Sequence, residues 1–193
     1  DLEKQNRITT YLLHAQREDG SWPLYFGGPC DINSTVESYM ALKLAEIPES
    51  RPEMIRAREA IFANGGIKCT RVFTKVFLAM FGQISWEACP AVPVEIILLK
   101  NWFPLNIYEM SSWSRGTVVP LSIVISHKPV CSLPEGRGVK ELFTSDDHKL
   151  DFEPDGSIFS SWRNFFIHLD KLIKFIGKSP WKPFRKIALK KAL

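Results

Sequence analysis

Stretches of helical periodicity alternate along this chain between amphipathic and apolar nearly all round, and that alternation restricts the possible architectures more than any other feature. Residues 5–17 place Ile8, Tyr11, Leu12 and Ala15 on one face, with Gln5, Arg7, Arg17 and Glu18 elsewhere, and Asp19-Gly20 ends the segment. Asn33-Ser34-Thr35 then offers N-capping side chains to a helix running to about Glu46, which carries Val36, Tyr39, Met40, Leu42 and Leu44 on most of its faces. Residues 52–63 predict a charged helix with Met54, Ala57 and Ile61 inward, stopped by Gly65-Gly66, and residues 71–81 predict one apolar nearly all round. The pattern recurs as a short helix from Pro93 to Trp102 and an apolar one over 112–126, in which Pro120 predicts a kink or break. Hairpins pairing an amphipathic helix with an apolar one predict an all-α fold, an α/α barrel (toroid) of alternating outer and inner helices, incomplete at this length. An irregular helical bundle is the alternative. Residues 127–157, rich in Pro, Gly, Asp and Ser, read as a long loop. The domain organisation is then a partial barrel over 1–157 followed by a basic segment over 158–193.

Charge separates these two segments. The whole chain carries 25 basic and 21 acidic side chains. From Ile158 onward, nine basic residues face the single acid Asp170, which gives the tail +8 and the preceding residues −4. Such a split points to a polyanionic partner, a membrane surface or a nucleic acid. Within the tail, Ile158, Trp162, Phe165, Phe166, Leu169, Leu172, Ile173 and Ile176 form an unbroken helical stripe, with Arg163, Asn164, Asp170, Lys171 and Lys174 on the other side. Apolar area opposite Lys and Arg suits either an interfacial membrane helix or an amphipathic helix packed on the body. Nucleic acid is the weaker reading, because no recognised binding module surrounds the charge. No uninterrupted apolar run reaches the roughly 18 residues of a spanning helix. Cys30, Cys69, Cys89 and Cys131 lack the paired spacing of a zinc site or disulfide framework and are expected to be buried free thiols. The chain starts at Asp1 without an initiator Met and stops in a helical pattern, so a piece of a longer protein is expected.

One local pattern is specific. Gln16-Arg17-Glu18-Asp19-Gly20-Ser21-Trp22 has the spacing Q-x-x-x-G-x-W after the helix Tyr11-Leu12-Leu13. A Gln at a helix end can bond carbonyls there and N–H groups of the next helix, with the Trp stacked on its amide beyond the Gly turn, so that Gln16, Gly20 and Trp22 staple adjacent outer helices. The motif is joined by Gly27-Gly28-Pro29, by Gly65-Gly66-Ile67 leading into Thr70-Arg71-Val72-Phe73-Thr74-Lys75, and by Asn106-Ile107-Tyr108-Glu109-Met110-Ser111-Ser112-Trp113-Ser114-Arg115. In that order and spacing the set closely resembles bacterial squalene–hopene cyclases, strongly to about Val130 and more loosely through the basic tail.

The resemblance implies a fragment of the second barrel, inserted near the N-terminal end, of a two-barrel triterpene cyclase. Such enzymes are monotopic, on the cytoplasmic face of the bacterial inner membrane. Their partners are a linear triterpene such as squalene, membrane lipid, the remainder of the same polypeptide and, in some cases, a second copy as a homodimer. An acidic D-x-D-D motif elsewhere in the polypeptide protonates a terminal double bond, and no metal or organic cofactor takes part. Asp31-Ile32-Asn33-Ser34-Thr35 looks like a worn copy of that motif. Protonating an alkene needs a strongly acidic carboxyl polarised by further carboxyls, and Asn33 and Ser34 stand where those would be required. Asp31 is therefore expected to cap a helix, and this fragment to carry no catalytic acid.

The resemblance also assigns site residues. Trp113, on its own residues a core tryptophan, would line the substrate cavity and stabilise cationic centres through its ring face. Met110 and Val118 would narrow the lipid channel, with Met110 replacing a common aromatic. Glu37 and Arg71, both expected on buried helices where an unpaired charge is costly, would pair or join a polar network near the far end of the cavity. Trp162, Phe165, Phe166, Leu169, Leu172 and Ile173 would contact the membrane. The rival from another class is a non-catalytic helical module that binds anionic membranes through its tail.

Overall fold

The computed structural model describes residues 1–103, 106–143, 161–178 and 182–193. It is all-α: among the described residues, seven α-helices and four short 3-10 helices account for the regular structure, and the single β-bridge, Pro23 to Cys30, closes a loop. The helices are α1 (Leu2–Ala15), α2 (Ile32–Leu44), α3 (Pro52–Ala63), α4 (Val72–Met80), α5 (Ser112–His127), α6 (Trp162–Gly177) and α7 (Arg185–Ala192). The chain divides into two compact units, Asp1–Ser85 with Val130–Leu150, and Trp86–Pro129 with Asp151–Leu193.

In the first unit α2 is the inner helix, packed against α1, α3 and α4. Val36, Tyr39 and Leu42 are fully buried on it, and Met54, Ala57 and Ile61 of α3 meet the same core, as their periodicity predicts. Pro52 takes the first position of α3, where its missing N–H costs nothing, and Gly65 and Gly66 stop the helix with positive φ. α4 buries Val76, Leu78 and Ala79, while Phe73 and Phe77 stay about half exposed. The loop from Val130 returns to this unit through an element the pattern did not mark, a 3-10 turn at Lys140–Leu142. The fully buried Tyr39 donates its hydroxyl to Glu141 Oε1 at 2.8 Å, and Lys43 Nζ bridges Glu141 and Glu49 at 3.1 and 3.3 Å. The buried charge of Lys43 is therefore paired with two carboxylates. The remainder of the expected long loop, 144–157, lies outside the described residues.

The second unit has a small core of Val94, Ile97, Ile107 and Ala188, against which Met110, Val119, Ile123 and Leu189 pack. The expected helix over 93–102 is only a 3-10 helix, Val94–Leu98, because Pro90 and Pro93 precede it and the chain turns again by Asn101. α5 runs through Pro120 without the expected break. The proline deprives one carbonyl, that of Gly116, of its partner, and the other rungs hold the helix. α5 also buries far less than expected: among the described residues Ser122 is its one buried residue, and its main packing within its unit is against the Val94–Leu98 turn and α7.

The thiols depart from expectation as well. Cys89 is buried and Cys30 intermediate, but Cys69, at the end of a 3-10 turn, and Cys131, in a loop, are exposed, and all four are free.

Candidate functional site

The Q-x-x-x-G-x-W turn is the frame of the first unit. Gln16, at the C-cap of α1, donates from Nε2 to the Gly20 carbonyl at 2.9 Å and to the Glu53 carbonyl in the first turn of α3 at 2.8 Å. Its Oε1 accepts from the Arg56 guanidinium at 3.3 Å. These bonds join α1 to α3 through a carbonyl and a side chain of α3, where N–H groups of the next helix were expected. Trp22 is buried and donates Nε1–H to the Leu12 carbonyl of α1 at 2.9 Å. Gly20 is required twice over: its φ is +81°, and a Cβ there would lie 2.4 Å from the Arg56 carbonyl oxygen. Beyond the turn, the Trp22 N–H is accepted by Thr35 Oγ1 at 3.1 Å and the Asp31 N–H by the Trp22 carbonyl at 3.2 Å, which fixes the start of α2.

Asp31 caps α2, its Oδ1 accepting from the Ser34 N–H at 2.8 Å. Its Oδ2 faces the Arg71 guanidinium at 3.2 Å and Asn33 Nδ2 at 3.4 Å. Burial opposes the charge on this carboxyl, but the Ser34 N–H, the Asn33 amide and Arg71 together hold it below the usual carboxylate range. Asp31 is thus an ionised acceptor, the opposite of a proton donor.

Glu37 and Arg71 are not buried charges, because the faces of α2 and α4 that bear them are exposed. They do not pair with each other. A chain of side chains joins them instead: Thr74 Oγ1 donates to Glu37 Oε1 at 2.7 Å and lies 3.3 Å from Asn33 Oδ1, and that same Oδ1 accepts the Arg71 N–H at 2.6 Å. Asn33 and Thr74, both buried, are the members sequence reasoning missed. The signal was available in the spacing, since Asn33 and Glu37 stand four apart on α2, and Arg71 and Thr74 three apart at the start of α4. Glu37 also faces a groove of about 830 Å³ lined by Tyr11, Trp22, Tyr25 and Phe26, so a polar strip borders an aromatic wall.

In the second unit Trp113 stands in the first turn of α5, 85% exposed, and not in a core. Met110 packs beside the Val94 and Ile97 core and Val118 is half-buried on α5. Asn106 builds the turn before them: its Oδ1 accepts the N–H groups of Tyr108 and Glu109 at 2.9 and 3.1 Å.

The tail helix α6 is turned against the usual amphipathic order. Its inward face carries Asn164, Ile167, Asp170 and Lys174: Asp170 accepts the Ala91 N–H at 2.5 Å and pairs with Lys174 at 2.8 Å, and Lys174 donates to the Glu87 carbonyl at 2.7 Å. Trp162, Phe166, Leu172, Phe175 and Ile176 point to solvent, Phe175 at 75% exposure, while Phe165, Leu169 and Ile173 are intermediate. Trp162, Phe165 and Phe166 form a ring cluster with centroids 5.4–6.3 Å apart. Ile158 and Trp181 lie outside the described residues. No helix of the described residues is long and apolar enough to cross a membrane, and they hold no group of three or more His, Cys, Asp or Glu side chains placed for a metal.

Comparison with known proteins gives these arrangements a family. The squalene-hopene cyclase N-terminal domain family matches residues 1–193. The squalene–hopene cyclase of Alicyclobacillus acidocaldarius is 43% identical over 193 residues, all of this chain and 30% of that protein. The squalene–hopene cyclase of Zymomonas mobilis is 42% identical over 173 residues, 90% of this chain and 26% of that protein. That of Schizosaccharomyces japonicus is 41% identical over 175 residues, 90% of this chain and 27% of that protein. The chain therefore spans about 30% of the length of the curated relatives it matches. On the family match over its whole length, the chain belongs to the squalene–hopene cyclase family, as a part of its N-terminal domain.

Proposed function

We propose that the chain is one part of a triterpene cyclase that converts squalene, or a closely related linear triterpene, to polycyclic product by protonation and carbocation rearrangement. The observation that carries this reading is 43% identity to a squalene–hopene cyclase along all 193 residues. The chain belongs to an α/α barrel, supplies cavity wall, channel and membrane contact, and leaves the catalytic acid to the remainder of the polypeptide. The Asp31 carboxylate supports that division, since a group held ionised by hydrogen bonds to its charged form cannot start the reaction.

Each residue then has a chemical task. The exposed indole of Trp113 lines the cavity, where its ring face stabilises cationic centres once substrate has displaced water. Met110 and Val118 border the path by which the polyene enters. Glu37, with Thr74 and Asn33 behind it, orients water where the last cation is hydrated or deprotonated. α6 seats the protein on the cytoplasmic face of the membrane that dissolves the substrate. The exposure of Trp162, Phe166, Leu172, Phe175 and Ile176 supports this, because a helix packed on the body by its stripe would bury that stripe. The test is to incubate the full-length gene product with squalene and examine the extract by gas chromatography and mass spectrometry. Pentacyclic products from the whole protein and none from this chain alone are expected. Cyclised product from the chain alone overturns the placement of the acid, and vesicle binding without any cyclisation by the whole protein favours the non-catalytic membrane module.

A further inference from the structure

The second unit holds a cavity of about 250 Å³ between the last turn of α6 and the first turn of α7, walled by residues 86–93 and 125–128. That is headgroup size, below the volume of most drug-like sites. Among the described residues five cations line it, Lys128, Lys174, Lys178, Lys182 and Arg185, against one carboxylate, Glu87. Three of the cations are committed. Lys128 meets Glu87 at 3.5 Å, Lys174 meets Asp170 at 2.8 Å and Arg185 meets Glu95 at 3.0 Å. Lys178 and Lys182 have no carboxylate partner among the described residues.

Two further observations concern the walls. Trp86 and Ser126 both line the cavity, and neither Trp86 Nε1 nor Ser126 Oγ has a hydrogen-bond partner among the described residues. An indole N–H can only donate, so the group that satisfies it must bring an acceptor. The rest of the lining is apolar, with Pro90, Val92, Pro93, Ile125 and Ile173. Next to the two lysines in the chain stand Phe175, Ile176 and Phe184, all more than 60% exposed.

We propose that this cavity is a binding site for the phosphate of an anionic phospholipid headgroup, held by Lys178 and Lys182. Excess positive charge and spare donors call for a phosphate oxygen. The exposed aromatic and aliphatic side chains beside the lysines select the lipid source over a free phosphate, because they gain only where acyl chains cover them. The site rests on the membrane reading of α6 and sharpens it from general attraction to a headgroup pocket.

Flotation of the full-length protein with vesicles of phosphatidylcholine, with and without phosphatidylglycerol, tests it. The comparison is between Lys178→Ala/Lys182→Ala and Lys186→Ala/Lys190→Ala, which removes equal charge from exposed positions of α7 outside the cavity. The first double variant should lose more than the roughly 30-fold in affinity for phosphatidylglycerol vesicles that two lysines' diffuse attraction accounts for, because each also bonds the phosphate. The second should lose several-fold less. Equal losses from the two variants, or none from either, overturn the pocket and leave only diffuse attraction. Wild-type protein that ignores both kinds of vesicle overturns the membrane reading itself. Calorimetric titration with glycerol 3-phosphate separates the sources: binding of the free compound unaccompanied by any preference for phosphatidylglycerol vesicles overturns the lipid assignment.

Discussion

At the scale of single residues, Asp31 and Glu37 stand six positions apart with opposite expectations. Asp31→Ala should cost about 1 kcal/mol of stability through the lost cap, measured by denaturant titration. Asp31→Asn keeps a capping oxygen and should leave squalene turnover intact; loss of turnover in that variant would make Asp31 a catalytic group after all. Glu37→Gln retains an acceptor for the Thr74 hydroxyl but removes the charge, and should shift the ratio of alcohol to alkene products. An unchanged ratio with unchanged fold sinks the role in quenching. Glu141 adds a pH dependence. Burial disfavours its charge, yet its own backbone N–H, Tyr39 and Lys43 hold it below the usual carboxylate range. A lowered folded value means stability present above the unfolded range near about pH 4 and lost as pH falls through the lower one. Glu141→Gln should therefore flatten the fall in melting temperature between about pH 5 and pH 2, while lowering stability at neutral pH by leaving Lys43 with Glu49 alone.

At the scale of elements, the staple and the tail helix make separable predictions. Trp22→Phe loses the bond to the Leu12 carbonyl and leaves part of the buried indole's space empty, costing about 2–4 kcal/mol. Gly20→Ala should also destabilise, since a positive φ alone strains a non-Gly residue by about 1–3 kcal/mol and the Arg56 carbonyl stands in the way. On α6, Ile167→Ala should destabilise by about 2–5 kcal/mol because it empties buried space, whereas Phe175→Ser should leave the melting temperature nearly unchanged and weaken vesicle flotation. If Phe175→Ser unfolds the protein, the outward stripe is core and the membrane reading of α6 fails. Periodicity was enough to place α2 and α3, because their apolar faces are buried within the chain itself. It misjudged α5, since an apolar pattern records that a face will be covered but not by which part of the polypeptide. It also left the direction of α6 open, because a stripe opposite charges reads alike whichever side is turned inward.

At the scale of the whole molecule, the chain holds two compact units and about 30% of the length of its relatives. The −4 and +8 segments of the sequence meet no single boundary in the structure: the loop 130–143 returns to the first unit, and the tail joins residues 86–129. Neither return was legible, because each depends on pairs far apart in the chain, such as Tyr39 with Glu141 and Ala91 with Asp170. The polar strip was half legible: Glu37 and Arg71 were marked, but Asn33 and Thr74, which join them, carry no charge to draw notice. The central claim is that addition of a proton to the triterpene starts a cation cascade that these residues enclose. Mass spectrometry of the product formed from squalene by the full-length protein in D2O measures that directly. The account predicts polycyclic hydrocarbon carrying one deuterium; unlabelled polycyclic product, or no cyclised product at all, would contradict it.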